Sequence, residues 1–219
     1  MKFFLLTAAL VAGLCTVRAD YNSSDVTQFT AQYSAIAHVA QDLQSFTNQM
    51  LDKSWDFLLL SAVFNQYNLN RPGFEKLHRK VSDRAWDDCI ETVKYLSQRG
   101  VSHSFNGVQN GVVSRLNAGK SGRNSLLDSD ELSSLKLGLG YEKILADEVH
   151  TIHKKISHAH DKGNAYDPDV AHFLDEKYDE AQREQVREYA GHIHVLTRIL
   201  EEPGTKQLGL HMFDDILAK

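Results

Sequence analysis

Apolar side chains recur along this chain at helical spacing in four long stretches, and no sustained strand-like alternation interrupts them. The first stretch predicts a helix from about Phe29 to Asn65, because Leu43, Met50, Phe57 and Phe64 recur every seven residues and keep one seam inward. Asn70-Arg71-Pro72 then reads as a turn and a new helix start, since proline is tolerated in a first helical turn. The second helix carries Phe74, Leu77, Val81, Ala85, Cys89, Val93 and Leu96 on one face, and Gly100 supplies its stop. Residues 101–127 are rich in Gly, Asn and Ser and read as a long connection across the surface.

Asp128, with Glu131 three residues on, resembles a capping box that opens the third helix. Its seam is Leu135, Leu139, Glu142, Ala146, Val149 and Ile156. After a break over 161–168, a fourth helix presents Tyr178, Gln182, Val186, Tyr189, Ile193, Leu196 and Leu200. Pro203-Gly204 ends it, and a short amphipathic tail follows with Leu208, Leu210, Met212, Phe213, Ile216 and Leu217. At ~1.5 Å per residue the four helices are roughly 40 to 55 Å long, natural for a bundle and long for other globular folds. The fold read from this pattern is all-α: a four-helix bundle with one long crossover and a short C-terminal fifth helix. The tail packs either on its own bundle or against other subunits.

Composition adds a compartment. Met1-Lys2, the apolar run Phe3 to Leu14 and the small-residue stop before Asp20 have the parts of a secretory signal peptide over 1–19, leaving a single domain over 20–219. That run is too short to span a bilayer. A net charge of −5 with both signs interspersed argues against nucleic acid as the main partner. Of two cysteines, Cys15 falls inside the signal and Cys89 is left alone, so no intrachain disulfide framework is expected. Asn22-Ser23-Ser24 is a glycosylation sequon at Asn22.

The chemically informative positions are those that break the apolar seam. Asp88, Glu142 and Gln182 do so from three different helices near mid-helix, and a carboxylate in a bundle core is costly unless paired, protonated or metal-bound. Their inward neighbours Met50, Phe57 and Ala85 offer no oxygen or nitrogen ligand. A di-iron site in a bundle takes glutamates from two helices plus Glu-x-x-His motifs, whereas here the second helix has Ala85-x-x-Asp88. Two readings stay open: a polar cluster bonded to itself and to buried water, or residual metal binding.

The stretch Met50 to Gly100, with Ser54, Phe64, Phe74, Lys94 and Gln98-Arg99-Gly100, resembles ferritin, in particular the light-chain type of secreted insect ferritins. The likeness resumes at Glu142-Lys143, His153-Lys154, Phe173, Tyr178 and Gln182, and loosely over Leu208 to Leu217. In heavy-type subunits of that family the ferroxidase ligands sit at positions matched here by Met50, Phe57, Ala85, Asp88, Glu142 and Gln182, so only the last two survive. The resemblance therefore implies an iron-storage subunit without a complete ferroxidase site, not an enzyme in its own right. It further implies a hollow 24-subunit hetero-oligomer with a heavy-type partner and a ferric mineral as cargo. Asp83, Asp87 and Glu91 match the acidic face on which light-type subunits nucleate mineral, with Arg84 among them. His153, His172 and Asp175 match the iron-entry channel. His150, His158, His160, His192 and His194 form a looser set of imidazoles. The competing readings are an active ferroxidase with an atypical site on Asp88, Glu142 and Gln182, and a secreted helical-bundle interaction protein.

Overall fold

The computed structural model describes residues 29–108, 112, 116, 128–157 and 165–219. By internal contacts the chain divides into Met1–Ala31 and Gln32–Lys219, and the helices below all belong to the second unit. They are α1 (Ile36–Phe64), α2 (Pro72–Gln98), α3 (Glu131–Ser157), α4, which runs as Pro168–Leu174, a π-helical turn Asp175–Asp179 and Glu180–Glu201, and α5 (Lys206–Leu217). Among the described residues there is no strand, and no helix is long and apolar enough to cross a membrane. The signal segment, Cys15 and Asn22 lie outside the described residues.

Ion pairs and hydrogen bonds at two heights fix the helix directions. Lys53 meets Glu142 and Asp42 meets Lys155, so residues ascending α1 descend α3, and the two are antiparallel. Likewise Thr92 meets Tyr178 while Arg84 neighbours Gln185, so α2 and α4 are antiparallel. The short turn after α1 makes α2 its antiparallel neighbour, which leaves α2 and α3 parallel. A parallel pair requires the connection between them to travel the length of the bundle. Two residues of that crossover, Val112 and Leu116, are helical, and Val112 is fully buried, so the connection is more than a surface loop.

Helix ends follow local chemistry, with two departures from the sequence reading. α1 begins at Ile36 instead of Phe29: Ser34 has φ 57° and the Asp167 carboxylate accepts the Ala35 N–H at 3.2 Å, so the chain turns just before the helix. α3 begins at Glu131 with Asp130, not Asp128, capping it through the Ser133 N–H at 2.7 Å; Glu131 turns instead to Arg71 at 2.8 Å. α2 ends as expected at Gly100, in the left-handed region at φ 70°, with Val101 N–H bonded to Leu96 O and Gly100 N–H to Ser97 O. That pair of bonds satisfies two of the helix's last carbonyls.

The core holds the predicted seam, including Leu43, Met50, Phe57, Phe64, Phe74, Ala85, Cys89, Leu135, Val149, Ile156, Tyr178, Tyr189 and Leu196. α5 resolves the question of the tail in part. Leu210 and Phe213 are buried, Phe213 packs on Phe74, and the Asp214 carboxylate accepts the Phe74 N–H at 3.0 Å near the start of α2. The approach is close: a Cβ on Gly73 would lie 1.9 Å from the Asp214 carbonyl oxygen, so only glycine fits there. Leu208, Met212 and Ile216 on the other side of α5 are exposed.

Candidate functional site

Halfway along the bundle a layer of polar groups replaces the apolar seam, and every helix of the four contributes to it. From α1, Lys53 reaches inward and its Nζ lies 2.6 Å from Glu142 Oε1 on α3, with both side chains almost fully withdrawn from water. From α4, Gln185 donates its amide nitrogen to Glu142 Oε2 at 3.0 Å, while its amide oxygen accepts from Arg84 Nε of α2 at 3.0 Å; this orientation satisfies both neighbours. Arg84 in turn stands 3.9 Å from Asp88 one turn on. The layer thus runs Lys53, Glu142, Gln185, Arg84, Asp88, with two cations and two anions.

Both Glu142 oxygens are committed to protein donors. An ammonium has three protons to donate and no lone pair while charged, so Lys53 repels a cation at the spot where a di-iron site would need ligands. Met50 and Ala85, 2% and 1% exposed, and the fully buried Phe57 fill the remaining space with hydrocarbon and an aromatic ring. Gln182 is buried with its Nε2 unpartnered. Among the described residues no three His, Cys, Asp or Glu side chains are grouped so as to hold a metal ion.

A second buried polar pair lies nearby. The Tyr141 hydroxyl donates to Asp56, both fully buried, and Tyr141 packs edge-on against Phe57 at 5.6 Å. His78, also buried, contacts Ser134 Oγ at 3.1 Å; burial pushes its pKa down to about 3, so the ring is neutral. These groups satisfy one another and add no open coordination position.

Asp88 is the one layer member with partial access to water. Burial pushes its pKa up to about 6 against the pull of Arg84 and Lys53. A raised carboxyl pKa favours folding below the unfolded value of 3.8, and this contribution is lost as pH rises toward about 6. Asp88→Asn is therefore expected to flatten the pH dependence of the unfolding midpoint over that window. A denaturation series from pH 4 to 7 in which wild type and variant keep parallel curves would contradict this.

The remaining sequence candidates are placed as follows. Asp83 pairs with Arg79 Nε at 3.0 Å, Glu91 pairs with Lys177 at 2.6 Å, and Asp87 is exposed between them. Two of the three proposed nucleation carboxylates are thus matched by cations, a departure from an open acidic face. His153 and Asp175 meet at 3.3 Å, but His172 turns to Glu176 at 3.7 Å, so the expected triplet is a pair plus a neighbour. The looser histidines are not gathered: His150 pairs with Asp179, His192 with Glu188, His194 is exposed, and His158 and His160 lie outside the described residues.

A four-helix bundle with parallel central neighbours, a full-length crossover, a short docked fifth helix and a closed polar layer at mid-height defines the ferritin-like class. No protein-family model matches the chain. The chain is 36% identical over 191 residues to the ferritin light chain of Drosophila melanogaster, spanning 86% of this chain and 80% of that one. To the ferritin light chain of Trichoplusia ni it is 31% identical over 190 residues, 86% and 78% of the two. The crystal structure of Trichoplusia ni secreted ferritin matches with a TM-score of 0.76 and 29% identity, over 94% of this chain and 95% of that one. The chain belongs to the ferritin family, a family of iron-storage proteins, and is homologous to insect ferritin light chains.

Proposed function

We propose that this chain is the light-type subunit of a secreted ferritin. In this reading it completes a 24-subunit shell and supports ferric mineral deposition, while a heavy-type partner oxidises Fe(II). The observation that carries it is the Lys53–Glu142 pair, buried at 2.6 Å where open ligands would be needed. Iron oxidation at a paired site requires several anionic oxygens free to bind the cation. Here the one fully buried glutamate of the layer is already neutralised, and three of the six matched positions are Met50, Phe57 and Ala85. Iron is cargo in this reading and is held by the assembled particle.

The exposed face of α5, with Leu208, Met212 and Ile216, supports burial against other subunits, as does the presence of Trp55 and Trp86 half-exposed on α1 and α2. The sequon at Asn22 and the leader over 1–19 support passage through the secretory pathway. The possible cation route is narrower than the sequence suggests: His153 and Asp175 form its paired element.

Purified alone and supplied with Fe(II) in air, the chain is expected to oxidise iron no faster than the uncatalysed reaction, and to match a heavy-type rate only when co-assembled with such a subunit. Turnover by the isolated chain at a heavy-type rate would overturn the proposal. So would particle sizing that returned a monomer from native material.

A further inference from the structure

Between α2 and α4, on the side away from α1, lies a cleft of about 40 Å³ lined by Leu77, Lys80, Val81 and Arg84 of α2 and by Gln185, Glu188, Tyr189 and His192 of α4. A single water needs roughly 10–15 Å³, so the space admits something larger than one water. Its lining has an unusual balance for the surface of an acidic protein. Lys80 and Arg84 supply two fixed positive charges against Glu188 alone, and Lys80 makes no ion pair that would spend its charge elsewhere, whereas neighbouring Arg79 is held by Asp83 and Lys76 by the Ala218 carbonyl. The lining also holds two polar groups without hydrogen-bond partners. His192 Nε2 is buried and lies 3.6 Å from Glu188, too far for a hydrogen bond, and Tyr189, 3% exposed, has an unbonded hydroxyl.

Two cations and two unsatisfied hydrogen-bonding groups around a cleft with an apolar rim from Leu77 and Val81 are the parts of an anion site. A cation site would require ligands that are absent: Glu188 and His192 make two, and no group of three His, Cys, Asp or Glu occurs among the described residues. We propose that this cleft binds a small tetrahedral oxyanion of the orthophosphate class, with Lys80 as the principal charge, Arg84 as its backing charge and His192 as a hydrogen-bonding group. Glu188 opposes the anion and keeps the site selective for ligands that can also accept hydrogen bonds. The site stands independently of the storage reading, since it requires only the α2–α4 pair.

The test uses the iron-free assembled protein with inorganic phosphate as the probe, followed by titration calorimetry and phosphorus NMR line-broadening. One saturable site per chain is expected, weakened about tenfold in Lys80→Gln, the loss of one charge-assisted contact. The same protein carrying Lys94→Gln, an exposed lysine on α2 outside the cleft, is expected to bind as wild type. His192→Gln provides a second cleft variant, expected to weaken binding less than Lys80→Gln. Absence of saturable binding, equal affinity in all variants, or weakening by Lys94→Gln as large as by Lys80→Gln would each overturn the site. None of those outcomes bears on iron oxidation or particle size, so failure here is separate from failure of the storage reading.

Discussion

Replacing Lys53 with Met is expected to lower the stability of the subunit by about 3–5 kcal/mol, the largest effect of any single change in the polar layer. Glu142 is fully buried, and the Lys53 ammonium at 2.6 Å is its charge partner. Removing the cation leaves a carboxylate in a low-dielectric interior with only the Gln185 amide to solvate it. The pair itself is not a source of net stability, because desolvating two ions offsets most of their attraction. The double variant Lys53→Met with Glu142→Leu should therefore recover most of the loss. Guanidinium midpoints on the single and double variants measure both effects. A single variant within about 1 kcal/mol of wild type would mean that the layer is not the closed ion pair described. Fe(II) oxidation should remain at background in Lys53→Met, because Met50, Phe57 and Ala85 still supply no ligand.

Asp167→Ala should be almost as damaging, for a different reason. One carboxylate there gathers three distant pieces of chain. It accepts from Arg99 Nη2 at 2.7 Å at the end of α2, from Val170 N–H at 3.2 Å at the start of α4, and from Ala35 N–H at 3.2 Å ahead of α1. Arg99 is 2% exposed; its Nη2 also donates to the Tyr33 carbonyl at 3.0 Å, and its plane sits 4.0 Å from the Tyr33 ring centre. The variant leaves that guanidinium with Asp169, which is half-exposed, and we expect a loss of about 3–5 kcal/mol. Burial works against ionisation of Asp167, but the Arg99 hydrogen bonds and the backbone amides outweigh it and hold the carboxyl below its usual 3.8. The contribution is thus complete above pH 3.8 and lost as pH falls through the lowered folded value. The gap between wild type and Asp167→Ala should accordingly narrow in acid. A gap that stays constant down to the acid transition would show that the ion pair is not its source.

The bundle and the six matched positions were legible because they depend on periodicity. Leu43, Met50, Phe57 and Phe64 repeat every seven residues, and that stripe alone places Met50 and Phe57 inside. The residue that closes the site was harder to see. A helix facing a bundle buries a second stripe, three or four residues off the first, and on α1 that stripe is Phe46, Lys53 and Leu60. Lys53 interrupts it as Glu142 interrupts the seam of α3, so the signal was present in the offset stripe. Gln185 and Tyr141 escaped for a related reason: each lies beside a seam residue, and only tertiary contacts select which neighbour turns inward. Asp56 is buried because Tyr141 waits opposite it, which nothing local in α1 announces. Helix starts were the least legible. The beginning of α1 is decided by Asp167, more than a hundred residues later in the chain, and that of α3 by a choice between Asp128 and Asp130 that local sequence leaves nearly even.

The π-helical turn at Asp175–Asp179 has a consequence for how the fourth helix can be altered. Such a turn houses one residue more than an α-helical turn, and each residue of an α-helix advances the side-chain direction by about 100°. Trimming a residue from that turn would restore regular winding and swing Gln182, Gln185, Tyr189 and Leu196 together off the bundle axis, leaving Glu142 and Arg84 without their bridge. The segment therefore acts as a phase setter: insertions and deletions that a surface loop would absorb are here transmitted along the whole downstream helix and into the docked tail.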